Sequence, residues 1–212
     1  MVTMKLDMHV HTCYSPDSTT PIKTLVKSIV KKGLDGIAIT DHNSMGAIKK
    51  AENEAKRITP SPIIIPGMEI RTPEGEVIGY YLTEEVKARN FSEVIDEIKA
   101  QGALVSIPHP FDSLRPSAVN NPSLILSFRS KIDFLEINGR ALPWFNKRTI
   151  TFAQKHGFKL VGGSDAHYLF ELGRVYTEWD GENTKVVGNT TISSLLPILT
   201  TAIYKRVKKL WR

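Results

Sequence analysis

Residues 4–12 read M-K-L-D-M-H-V-H-T, a strand-like stretch that carries two histidines. Apolar and polar residues alternate as on a strand, predicted over Met4–His11, so His9 and His11 are expected on one face and Met8 and Val10 on the other. Working outward, further strands are predicted at Gly36–Thr40, Ile63–Ile65, Val77–Leu82, Ala103–Ile107, Phe134–Ile137 and Leu160–Gly163. Between them lie helical patterns at Pro21–Lys32, Ser44–Ile58, Ser92–Gln101, Ser117–Phe128, Pro143–His156 and Ser193–Leu210. Short β-branched runs alternating with longer amphipathic ones mark β/α units around a parallel sheet. Gly33, Gly102 and Gly157 each follow a helical pattern where a left-handed cap is favoured, and Pro21 and Pro143 open helices without costing a hydrogen bond. The count points to an α/β, TIM-like barrel somewhat smaller than the eightfold one, with an open doubly wound sheet as the competing architecture. No repeat or linker interrupts the chain, so one domain is expected over residues 1–212.

Composition excludes several classes. With 212 residues, 41% hydrophobic and 24% charged, the chain can bury a full core and is neither disordered nor a disulfide scaffold. The lone Cys13 has no partner, no apolar run reaches membrane-spanning length, and the N-terminus lacks a signal pattern; a cytoplasmic location is expected. The net charge of +6 is local: Lys205, Arg206, Lys208, Lys209 and Arg212 lie in the last nine residues, and without them 23 basic face 22 acidic residues. A basic nucleic-acid track over the body is therefore not indicated.

The polar residues fall at strand ends. After the first strand come His9 and His11, after the second Asp41 and His42, after the third Glu69, after the fifth His109. The sixth strand carries Glu136 and Asn138, and the last runs into Asp165 and His167. In parallel β/α folds these ends converge on one face, so residues more than 150 positions apart share a pocket. Any one of them has a bland reading as core histidine, cap or surface acid; the joint placement is what indicates metal. The imidazoles with Glu69, Asp165 and Asp17, in the loop S-P-D-S, exceed the needs of one tetrahedral zinc. Two or three divalent ions with a bridging carboxylate are expected, and Mn, Fe and Zn all tolerate the donor set. His156, before Gly157, is read instead as a helix-terminal residue.

Taken in order, D-M-H-V-H-T, T-D-H, P-G-M-E, P-H-P and G-S-D-A-H resemble the PHP (polymerase and histidinol phosphatase) family over about residues 4–180. The resemblance implies a distorted (β/α)7 barrel, a trinuclear metal centre at its strand ends, and phosphoesterase activity. It implies that His9, His11, Glu69 and Asp165 bind one ion, with Glu69 bridging to a second completed by Asp17 and His42, and that His109 and His167 serve a third. Asp41 would orient His42 or a bound water.

The favoured function is hydrolysis of a small phosphate monoester, nucleotide or histidinol-phosphate-like, by a hydroxide on the metals. His109 and His167 are the candidate general acids, and Arg140, Arg174 and Asn138 the candidate substrate-binding residues. The alternatives are an exonuclease or phosphodiesterase trimming nucleic acid ends, and a non-catalytic metal-binding scaffold. The expected partner is a small phosphorylated substrate, with nucleic acid not favoured; oligomeric state is left open. Residues 193–212, with Leu195, Leu199, Ala202, Ile203, Val207 and Leu210 near helical spacing, read as an amphipathic basic helix packed across the barrel, with association to an anionic surface as the sharper alternative.

Overall fold

The computed structural model describes residues 3–188; the C-terminal helix predicted from Ser193 lies outside them. The chain runs β1 (Met4–Val10), α1 (Ile22–Lys31), β2 (Gly36–Ile39), α2 (Ile48–Ala55), β3 (Ile63–Thr72), β4 (Gly75–Tyr80), α3 (Phe91–Ala100), β5 (Leu104–Ile107), α4 (Pro122–Ser127), β6 (Phe134–Asn138), α5 (Pro143–His156), β7 (Lys159–Gly163), β8 (Val175–Trp179) and β9 (Thr184–Gly188). All nine strands form one sheet, in the order β7-β6-β5-β4-β3-β2-β1-β8-β9.

The sheet curls into a nearly closed α/β barrel. After β7 the chain returns to β1, where His11 N donates to Ala166 O at 2.9 Å and Ser164 N to Asp7 Oδ1 at 2.8 Å. The approach depends on Gly163, where a Cβ would collide with His9 Cβ and meet Glu136 Oε1 at 2.6 Å. Inside lie Leu6, Met8, Ala38, Ile65, Ile78, Tyr80 and Val161. Outside, one apolar layer joins α1 and α2 to the sheet through Val10, Leu25, Ile29, Ile37 and Ile39, and another joins α3, α4 and α5 to it through Ile70, Phe91, Ile98, Ile107, Leu135 and Ala153. Gly33, Gly102 and Gly157 take φ values of +71°, +69° and +71°, as left-handed caps require.

Four expectations are corrected. β3 does not stop at Ile65 but runs to Thr72 and turns into β4, which pairs antiparallel with both β3 and β5; the barrel is not uniformly parallel. β8 and β9 form an additional antiparallel hairpin on the far side of β1. The helix expected at Ser117–Phe128 is only Pro122–Ser127, because residues before it are tied elsewhere: Glu76 N donates to Ser117 O, Phe111 N to Val119 O, and the Asn121 side chain caps the helix start. Met8 and Val10 do not share a face. The register with β2 slips between Asp7 and Val10, a bulge that turns Met8 into the barrel and Val10 out towards α1.

Candidate metal centre

The donors come from the ends of different strands and meet inside the rim. His9 Nε2 lies 3.0 Å from His11 Nε2, and these nitrogens are 3.6 and 3.4 Å from Asp165 Oδ1. Glu69 carries Oε1 to 3.5 Å from His9 Nε2 and Oε2 to 3.4 Å from His11 Nε2. His42 Nε2 is 3.3 Å from Asp17 Oδ2, and His167 Nε2 is 3.4 Å from Asp17 Oδ1. His109 Nε2 is 3.2 Å from Glu69 Oε1. Nearly all of these side chains are buried, His9 and His11 completely.

Buried carboxylates and imidazoles hold one another's charge. Burial opposes ionisation of Glu69, but His9 and His42 outweigh it and hold the carboxyl well below its usual range. At Asp165 burial is outweighed by Arg115 and His9, with the same result, and at Asp17 by hydrogen bonds to His167 and His42. Burial disfavours the charged form of His9 too, yet Glu136 and Glu69 raise it well above the usual imidazole range. His11 is lowered by burial and by the neighbouring His167.

The donor set fits divalent ions. His9 Nδ1 rests on Glu136 Oε1 at 2.7 Å and His11 Nδ1 on Ser15 Oγ at 2.9 Å, which leaves each Nε2 facing its neighbour. Two imidazole nitrogens 3.0 Å apart beside buried carboxylates form a cage that a cation satisfies. Two of these candidate ligands sit on unusual backbone: His109 at φ +34° and Asp165 at φ +56°. Such conformations cost of order 1–3 kcal/mol and cluster at functional sites.

The structure regroups the implied ligand sets. His109 and His167 do not lie together: β5 adjoins the β3–β4 hairpin, placing His109 against Glu69, whereas the loops after β1 and β7 bring His167 to Asp17 and His42. Asp41 meets Thr12, and the Ser15 hydroxyl beside it accepts from His42 N at 2.9 Å. The Asp41 carboxylate accepts from Thr12 N at 2.6 Å and Thr12 Oγ1 at 2.7 Å, tying the loop after β1 to β2, and burial raises its pKa.

The candidate substrate residues have partners within the fold. Asn138 is fully buried; its amide donates to Glu136 Oε2 and its oxygen accepts from Arg140 N and Ala141 N, so it braces the turn after β6. Arg140 is 4% exposed, with Nη1 2.9 Å from His167 Nδ1 and Nε 3.4 Å from Glu171 Oε1. It supports His167. Arg174 stands over the Phe170 ring, 5.4 Å from its centroid, and makes no ion pair with the cluster among the described residues.

Two residues were missed. Glu76 Oε1 lies 3.7 Å from His42 Nδ1 and its Oε2 3.4 Å from His109 Nε2. The signal was in the hairpin: Arg71 pairs with Glu76 across the turn, so Glu76 shares the inward face with Glu69. Arg115 Nη1 donates to Asp165 Oδ2 at 2.5 Å; it sits in the irregular loop after β5, where no periodicity marks it.

The family description "PHP domain" matches residues 7–135 and "PHP-associated" residues 143–188. An uncharacterized protein of Methanocaldococcus jannaschii is 32% identical over 202 residues, 92% of this chain and 79% of that protein. Among solved structures, a Bifidobacterium adolescentis protein provisionally described as a metal-dependent phosphoesterase superposes with a TM-score of 0.66 at 18% identity, covering 92% of this chain and 96% of that one. A lesion-specific endonuclease from Pyrococcus furiosus gives 0.62 at 17% identity, covering 92% of this chain and 55% of the endonuclease. No helix among the described residues is long and apolar enough to cross a membrane.

Proposed function

The chain belongs to the PHP family, and on that footing we propose that it hydrolyses phosphate monoesters of small molecules at a multinuclear metal centre. The observation that carries this reading is the convergence of His9, His11, Asp17, His42, Glu69, His109, Asp165 and His167 inside one rim. His9, His11, Glu69 and Asp165 would hold one ion, Asp17, His42 and His167 a second, and Glu69 with His109 a third. Bound divalent ions bring water to a reactive protonation state near neutral pH and draw off charge from a phosphoryl group.

The chain's own residues prepare that site. Glu136 fixes His9 through Nδ1 and also accepts from His109 N at 2.8 Å, so one carboxylate aligns two candidate ligands. Arg115 holds Asp165 by Oδ2, leaving Oδ1 towards His9 and His11. Three divalent ions against Asp17, Glu69, Glu76 and Asp165 leave the site positive, which favours a phosphate dianion over a neutral amide.

The test is turnover of a nucleoside monophosphate and a short oligonucleotide, side by side, by metal-loaded protein. Release of inorganic phosphate from the monoester with the oligonucleotide left intact is the expected result. Shortening of the oligonucleotide without monoester turnover would assign the chain to the nuclease alternative, and metal binding without either to the scaffold.

A further inference from the structure

The cluster is not chemically uniform from end to end. A neutral imidazole offers a metal one lone pair, so each histidine serves one ion. His42 Nδ1 lies 3.1 Å from Glu69 Oε2 and 3.7 Å from Glu76 Oε1, while its Nε2 faces Asp17 at 3.3 Å. Asp17 takes His42 Nε2 on one oxygen at 3.3 Å and His167 Nε2 on the other at 3.4 Å, so two ring nitrogens share one carboxylate there. That end then offers His42, His167 and Asp17. The opposite end keeps His109 Nε2, 3.2 Å from Glu69 Oε1 and 3.4 Å from Glu76 Oε2, with two carboxylates and a single ring. Arg71 fixes the second of those carboxylates: its Nε donates to Glu76 Oε1 at 2.9 Å and leaves Oε2 turned to His109. Glu76 is 2% exposed, so this pairing is built into the wall of the site.

Resting on the metal-dependent reading above, we propose that the centre sorts its ions, with Glu76 as the residue that decides. The Glu69–Glu76–His109 end takes an oxygen-preferring ion of the Mn²⁺ type, and the Asp17–His42–His167 end an imidazole-preferring ion of the Zn²⁺ type. Zinc outbinds manganese at ordinary nitrogen and oxygen sites, so the sorting lies in how far the advantage shrinks where carboxylates replace rings.

The experiment loads metal-free full chain with Mn²⁺ and titrates in Zn²⁺, following released Mn²⁺ by electron paramagnetic resonance and counting both metals by elemental analysis. Release in two phases is expected, the last manganese needing at least about tenfold more free zinc than the first. In Glu76→His the late phase should merge with the early one. Glu76→Gln, which keeps the side chain's size, should weaken manganese retention at that end about tenfold and leave the early phase in place. Single-phase release by the unaltered protein, or a late phase untouched in both variants, overturns the proposal. Phosphate release from a small monoester by the same loaded protein is scored separately. Turnover with single-phase release sinks the sorting alone, two-phase release without turnover sinks the proposed function alone, and no metal retained sinks both.

Discussion

The two ends of the barrel interior are built from the same strands and hold opposite contents. At the rim where β1 and β7 finish, His9, His11, Glu69, Glu136 and Asp165 are buried with almost no apolar neighbour between their polar atoms. At the other end Leu6, Met8, Leu104, Phe134, Val161 and Trp179 line a cavity of about 440 Å³. The apolar end contributes stability by removing hydrocarbon from water, about 25 cal/mol per Å². The charged end costs desolvation and recovers it only through mutual compensation. One barrel therefore divides the work, with packing below supporting an expensive polar cage above.

Substitutions at the two ends should separate accordingly. His9→Ala removes a ligand and should abolish metal retention and lower monoester turnover by ~10²–10³-fold or more, read by elemental analysis and phosphate release. Met8→Ala, at the apolar end, should cost about 2–5 kcal/mol in denaturant unfolding while leaving metal stoichiometry unchanged; loss of metal there would break the division. Glu136→Gln touches no ion directly. It should loosen His9 and His109 together and weaken metal affinity ~10–100-fold, measured by competition with a chelator.

The smallest effect sharpens the contrast between carboxylates with and without cationic partners. Asp7 accepts from Ser164 and from the backbone N–H groups of His9 and Gly173, with no cation among these partners, and burial pushes it up to about 6. Its ordinary value is 3.8. Between these pH values the folded state binds the proton more tightly than the unfolded one, so stability falls as pH rises through the window. On acidification from about pH 6 to pH 4 the native protein should gain stability relative to Asp7→Asn, as urea titrations of the two would show.

Much of this was legible because it is local. Side-chain parity on β1 marked His9 and His11 as a pair, and the residues after Thr40, Ile107 and Gly163 carried the same metal-binding chemistry. Glycine and proline punctuation located most of the helix ends. What stayed hidden depended on direction. The β3–β4 reversal points the start of β4, with Glu76, at the rim, where a uniformly parallel sheet would have pointed its end. The bulge in β1 separated Met8 from Val10 in the same way. A sequence does not show the partners that Asn138 and Arg140 take up in the fold, Glu136 for the one and His167 for the other.

From its residues alone this chain determined the family, the barrel class and the strand ends where the imidazoles and acids of the candidate centre gather, since those follow from periodicity and residue chemistry along each strand. Only the folded chain decided which donors stand together, that Glu76 and Arg115 join them, and that Asp41 is tied to Thr12. Those outcomes depend on strand direction, register and barrel closure, which are set by packing between segments far apart in the chain and leave no periodic trace within any one of them.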